Sequence, residues 1–273
     1  MMKSKNEKTP EELEKEKKEQ SKTLLINTIN KKGFLLEDRT WNIFNNTSGL
    51  RALGRGIIPK KYPYSEGDRI EIDVFGIVGN THFIVECKHT DYSWIFPKSL
   101  DRPNILNIIH NFTNKQFDLI IHSRPTSDFK VAFSDLCIMF DKESFIKKEK
   151  GSEYAQTSYK DIHEHIRQIL KNLKVYLYEY KNANWGYFMP VIVTNADLYF
   201  LDYEEKDVDE KGDIINFKSL EKIPYIIYNF SEILGFPFLN NEEQMKSIFI
   251  VNINHLEEAI RLIADQQIGR GRN

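Results

Sequence analysis

The stretch RIEIDVFGIVGNTHFIVECKHT, residues 69 to 90, decides how this chain is read. Ile70 to Val78 and Thr81 to Lys88 both alternate, and the Gly79-Asn80 pair between them suits a two-residue hairpin turn. Pairing about that turn sets Asp73 opposite Glu86 and Glu71 opposite Lys88. Side chains alternate across a strand, so Ile70, Ile72, Val74 and Val78 share one face with Thr81, Phe83, Val85 and Cys87, and that face is expected to be core. The other face gathers Glu71, Asp73, Glu86 and Lys88 at one end and Phe75, Ile77 and Ile84 at the other.

Directly opposed like charges destabilise an antiparallel pair by up to roughly 1 kcal/mol, and by more when partly buried. A hard divalent cation would offset that repulsion. Mg²⁺ takes oxygen ligands and usually sits on one or two carboxylates with waters and substrate phosphate. The plainer alternative is an exposed charge mosaic, with Lys88 paired to Glu71 and the two acids pointing into water.

The order Asp73…Glu86-Cys87-Lys88 on two adjacent strands, with its apolar lead FIVECK, resembles the PD-(D/E)XK nuclease signature. Type II restriction enzymes, Holliday-junction resolvases and many repair and defence nucleases share that signature. The resemblance spans residues 20 to 140, and it lacks the proline before Asp73 that the full motif carries. It implies an α/β fold with a restriction endonuclease-like core, a mixed central β-sheet flanked by helices, and additional C-terminal strands and a helix. It also implies that Asp73, Glu86 and the main-chain carbonyl of Cys87 hold Mg²⁺, with Mn²⁺ able to substitute, and that Lys88 orients or deprotonates the attacking water. Glu71 is either a partner that fixes Lys88 or a further metal ligand. The family often adds an acid from a preceding helix. Glu16 or Glu19 would serve, although neither has the expected spacing from Gly33-Phe34, where that helix is read to end.

The function so implied is Mg²⁺-dependent phosphodiester hydrolysis by a DNA endonuclease of restriction, repair or defence type. Two alternatives stand beside it: a nuclease-fold protein that binds nucleic acid or a partner without cleaving, and an RNA-directed nuclease. A homodimer is left open. Just before the acidic strands, LRALGRGIIPKKYPYSEGDR, residues 50 to 69, reads as a loop. Its Arg51, Arg55, Lys60 and Lys61, with Tyr62 and Tyr64, suit phosphate contacts and base stacking as well as they suit an ordinary solvated loop.

At 273 residues the chain is long enough to bury a sizeable core, and 41% hydrophobic residues mark it as globular. A formal charge of -2 provides no overall basic field, so any nucleic-acid footprint must be local. Two cysteines, Cys87 and Cys137, fit buried thiols in a reducing cytoplasm rather than a disulfide framework. No apolar run of eighteen residues suggests a membrane span. His163-Glu164-His165 has the wrong spacing for zinc on one helix face, and no phosphate-cradling glycine loop is present. His82 is read as a surface histidine opposite Ile77.

The expected domain plan is a frayed segment at 1–8, a nuclease core at 9–145 and an α/β extension at 146–273 packed on it as one continuous domain. Thr9-Pro10-Glu11-Glu12 reads as a helix start, with Leu24, Leu25, Thr28 and Ile29 forming an apolar stripe and Lys31-Lys32-Gly33 ending the helix. Residues 89 to 99 read as an aromatic-rich connection, 103 to 116 as a helix, 130 to 141 as one or two strands and 158 to 173 as an amphipathic helix. Strands are expected at 175–180, 189–195, 197–203, 223–230 and 246–253. Asn254 and Glu257 suggest a capping box for a final helix.

Overall fold

The computed structural model describes residues 9–31, 33–58, 71–100, 105–111, 119–125, 131–141, 162–179, 186–231 and 245–268. The expectations for 1–8, Ile70, Lys60, Lys61, Tyr62 and Tyr64 lie outside them.

The molecule is α/β, with mixed sheets flanked by helices. The larger sheet runs β1 (Leu50–Ile57), β2 (Ile72–Val78), β3 (Thr81–Lys88), β9 (Gly186–Thr194), β13 (Met245–Asn252), β12 (Tyr225–Ser231) and β7 (Ala132–Ser134). β5 (Ile105–Asn111) pairs with the start of β9 and with β6 (Leu119–Pro125), giving nine strands among the described residues. A second sheet orders β11 (Ser219–Ile223), β10 (Leu198–Asp202), β4 (Tyr92–Pro97) and β8 (Ile138–Asp141). β9 lies parallel to both β3 and β13, between them.

Strands in this position are covered on both sides, which is why VIV in β9 and IFIV in β13 read as unbroken apolar runs. On one face Val74, Phe83, Val85, Val191 and Phe249 pack with Leu36 and Phe44 of α2 (Phe34–Asn46) and with Leu256 and Ile260 of α4 (Leu256–Ile268). On the other, Phe75, Ile84, Ile192 and Ile250 pack with Ile166, Ile169 and Leu173 of α3 (His163–Glu179) and with Trp94 and Phe96 of the second sheet. The expectation of a single core face on the hairpin is therefore corrected. Both faces are core, and the charged end lies between two helical layers.

The N-terminal helix α1 (Pro10–Lys31) begins as expected: the Glu12 carboxylate accepts from the Thr9 N–H at 2.8 Å and the Thr9 hydroxyl from the Glu12 N–H at 3.3 Å. Its apolar stripe does not enter the core, since Leu24 and Leu25 stay 69% and 60% exposed. The helix ends at Lys31, as Lys31-Lys32-Gly33 suggests, but Gly33 opens a second helix that the sequence reading did not expect. Gly33 takes φ 76°, which glycine adopts without steric cost, and the chain turns directly into α2. Leu36, Thr40 and Phe44, spaced four apart, bury one stripe of α2. Phe44 lies so close over Gly76 that an added Cβ there would meet its ring at 2.5 Å.

Other readings change for related reasons. Residues 50 to 57 form β1, paired with β2 through a bulge between Ala52 and Gly54, rather than a loop. Residues 92 to 97 form β4, so the aromatic connection is a strand with Trp94 and Phe96 fully buried. The helix read at 103–116 is β5: four β-branched or apolar residues in a short run satisfy either period, and pairing with β6 and β9 selects the strand. Residues 175 to 179 of the strand read at 175–180 belong to α3, whose buried positions Ile166, Ile169, Leu173 and Tyr176 continue the helical repeat. Before α4, Asn252 rather than Asn254 caps the chain, its side chain accepting from the Asn254 N–H at 3.0 Å. No helix among the described residues is long and apolar enough to cross a membrane.

Candidate active site

The hairpin register is the one that Gly79-Asn80 demands: Val78 pairs with Thr81, Ile77 with His82, and Val74 with Val85. Gly79 has φ 54°, in keeping with a two-residue turn that starts on glycine. One residue past the last laddered pair stand Asp73 and Glu86. There the side chain takes over from the main chain, and Asp73 Oδ2 accepts the Cys87 N–H at 2.7 Å. Asp73 thus ties the diverging strands at their open end.

Glu86 is 5% exposed, and both of its oxygens are engaged. Oε1 meets Lys88 Nζ at 2.5 Å, and Oε2 accepts from Asn172 Nδ2 at 2.6 Å. Glu86 and Lys88 are two apart on one strand and share a face, so the ion pair follows from the pleat. Lys88 is therefore paired with its own-strand neighbour rather than with Glu71 across the hairpin. Asn172 reaches the carboxylate from α3, which packs over the same face.

Burial pushes the Asp73 carboxyl above the ordinary carboxylate range, and the neighbouring Glu86 charge pushes it further, while the Cys87 N–H pulls it back. Burial likewise raises Glu86, against the opposing pull of Lys88 and Asn172. Glu37 on α2 is a third member: burial raises it, Arg55 opposes, and Glu71 and Glu86 add repulsion. The site is an acidic cluster whose charge Lys88 and Arg55 offset only in part. Burial also raises the Cys87 thiol, whose Sγ lies 3.5 Å from the Thr40 hydroxyl, so Cys87 is held neutral as part of the packing under α2.

Asp73, Glu86, Lys88 and Cys87 thus come together, with Glu71 exposed at their rim. Glu16 and Glu19 do not join them. They lie exposed on α1, where Glu19 faces Lys22 at 3.8 Å, and the helical acid near the pair is Glu37 instead. Arg51 is exposed on β1, whereas Arg55 is ion-paired with Asp38 of α2 and fastens β1 to that helix. Lys60 and Lys61 lie outside the described residues. His82 is corrected from a surface residue to one packed beneath α3: its Nδ1 lies 2.9 Å from the Tyr176 hydroxyl, its ring 4.9 Å from that of Phe188, and burial lowers its pKa to about 4.

Two residues of the site escaped the sequence reading. Glu37 follows Leu36 at the head of the Leu36, Thr40, Phe44 stripe, a signal hidden by ending the helix at Gly33. Asn172 is a polar residue set between Leu170 and Leu173 on a core-facing helix, and such a residue needs a buried partner.

Among the described residues, no three His, Cys, Asp or Glu side chains converge into a metal-holding group. The carboxylates that could hold a cation are Asp73 and Glu86, whose repulsion it would relieve. Two carboxylates fit Mg²⁺, which completes its shell with water and phosphate oxygens, and they do not fit zinc, which asks for four nitrogen, sulfur or oxygen ligands. In comparison with known proteins, the chain matches no family model, no curated protein and no solved structure.

Proposed function

We propose that this protein is a Mg²⁺-dependent nuclease that hydrolyses phosphodiester bonds, acting as a DNA endonuclease of restriction, repair or defence type on a restriction endonuclease-like core. One observation carries the reading: a buried Glu86 and a half-buried Asp73, two carboxylates that repel each other, stand at the open end of a hairpin with Lys88 Nζ at 2.5 Å from Glu86. The reaction is a displacement at phosphorus, in which a water oxygen forms the new P–O bond, the ester P–O bond breaks and the departing oxygen takes a proton.

Asp73 and Glu86 would hold the cation, with the Cys87 main-chain carbonyl as the resemblance implies. When bound, Mg²⁺ stabilises charge developing on the phosphate and lowers the pKa of its water. Lys88 has three N–H donors and spends one on Glu86 Oε1, leaving others for a water or a phosphoryl oxygen. The Asp73 bond to the Cys87 N–H fixes the relative position of the two acids. Glu37 adds negative charge from α2 and supplies the acid that the family draws from a preceding helix.

The test is nicking of plasmid DNA with Mg²⁺ or Mn²⁺, comparing the parent with Asp73→Ala and Lys88→Ala. Full activity in both variants ends the proposal, and parallel digestion of structured RNA separates a DNA from an RNA substrate. A second reading is a nuclease-fold protein that binds without cleaving. It is favoured by the engagement of both Glu86 oxygens within the protein and by the want of a three-ligand cluster among the described residues. DNA binding with no cleavage under either metal would support it.

A further inference from the structure

We infer that Asn172, steadied by Gln168, is the positioning residue for Glu86, and that it sets the affinity of the Asp73–Glu86 pair for a divalent cation. The inference rests on the nuclease reading and extends it to α3, an element outside the strand motif.

The geometry is that of a built support. Asn172 is fully buried and Glu86 nearly so, and the bond between them is 2.6 Å long. A carboxylate only accepts, so the amide nitrogen must face Glu86. The amide oxygen then needs its own donor, and Gln168 Nε2, four residues earlier on the same helix face, lies 3.3 Å from it. This chain of donors leaves the amide of Asn172 one orientation. Lys88 holds the other Glu86 oxygen, so both oxygens of the carboxylate are fixed, one by its own strand and one by α3.

The chemical type of the support matters as much as its position. Asn172 satisfies a buried oxygen without adding positive charge, so the pocket keeps the negative charge that attracts a cation. A lysine or arginine in its place would neutralise the site. Each carboxylate oxygen has two lone pairs, so the bonds from Lys88 and Asn172 leave Glu86 able to ligate. Partners of this kind, which orient a ligand without touching the metal, typically change metal affinity or activity by 10- to 100-fold when removed, a span of about that size being general.

The experiment measures three quantities on the full chain: Mn²⁺ binding followed by electron paramagnetic resonance, the Mg²⁺ concentration giving half-maximal plasmid nicking, and the thermal midpoint. Asn172→Leu removes the donor at near-constant volume. It is expected to raise the Mn²⁺ Kd and the Mg²⁺ midpoint by about 10- to 100-fold, with a smaller loss of nicking rate at saturating metal. Gln168→Leu, which keeps the Asn172 amide but frees its orientation, is expected to shift both in the same direction by less, and it carries the test if Asn172→Leu does not fold. A purely structural role would lower the thermal midpoint and leave both metal readings unchanged. That result, in a parent that binds Mn²⁺ and nicks DNA, overturns the inference alone. A parent that neither binds Mn²⁺ nor nicks overturns the nuclease reading and this inference with it.

Discussion

The two ends of one hairpin face differ in how they meet burial. Near the turn, Phe75 lies 4.6 Å from the Tyr176 ring, Ile84 is fully buried, and His82 is held neutral against Tyr176 and Phe188. At the open end, on the same strands and beneath the same helix, Glu86 is buried and Asp73 half-buried as acids that repel each other. At the turn end, neutral and apolar groups let burial stabilise the fold directly. At the open end, burial opposes the charged forms, and the protein answers with one N–H, one amide and one lysine rather than with full neutralisation. That contrast is the physical ground for proposing the open end as the functional site.

Breaking the charged end should have the largest effect on activity. Lys88→Ala is expected to lower metal-dependent nicking by about 10²- to 10⁴-fold, and to lower the thermal midpoint as well because the buried Glu86 loses its charge partner; plasmid assays beside melting curves check this. The turn end should respond the other way. Phe75→Ala removes a buried aromatic ring and should cost about 3–5 kcal/mol of stability, read as a lower denaturant midpoint, with the Mg²⁺ midpoint of the surviving folded protein unchanged.

The two ends should also have opposite pH dependences in metal-free protein. Asp73 is raised from 3.8 to about 8, so the folded state holds its proton more tightly and stability falls as pH rises through that window. His82 is lowered from 6.5 to about 4, so the unfolded state binds the proton more readily and stability falls as pH drops through that window. Asp73→Asn should flatten the loss on the alkaline side, and His82→Phe the loss on the acid side, in melting curves taken from pH 4 to pH 9. The smallest effect is expected from Glu19→Gln on the exposed α1, which should leave activity and melting unchanged.

Much of the candidate site was legible because its logic is local. Two alternating runs and a glycine-led turn were enough to set the hairpin register, which the Val74–Val85 to Val78–Thr81 ladder bears out; Asp73 and Glu86 stand one residue beyond its last pair. Short apolar runs were less legible. Ile105, Ile108 and Ile109 suit a helix by spacing and a strand by β-branching, and only the neighbours β6 and β9 decide between them. Val175 and Tyr176 likewise looked like a strand until the core-facing stripe of α3 was seen to run through them.

The amino-acid sequence by itself determined the hairpin, its register and the grouping of three ionisable residues on one face, because a period of two acts between residues close along the chain. Only the tertiary structure decided which helical acid stands near them and what supports Glu86. Glu16, Glu19 and Glu37 are alike as residues. Glu37 reaches the pair because Gly33 redirects the chain into α2 and Gly76 lets Phe44 press that helix onto β2. Asn172 meets Glu86 because α3 packs beneath β3 across 86 residues of sequence separation. Contacts of that kind depend on the shape of the folded core, which no local pattern specifies.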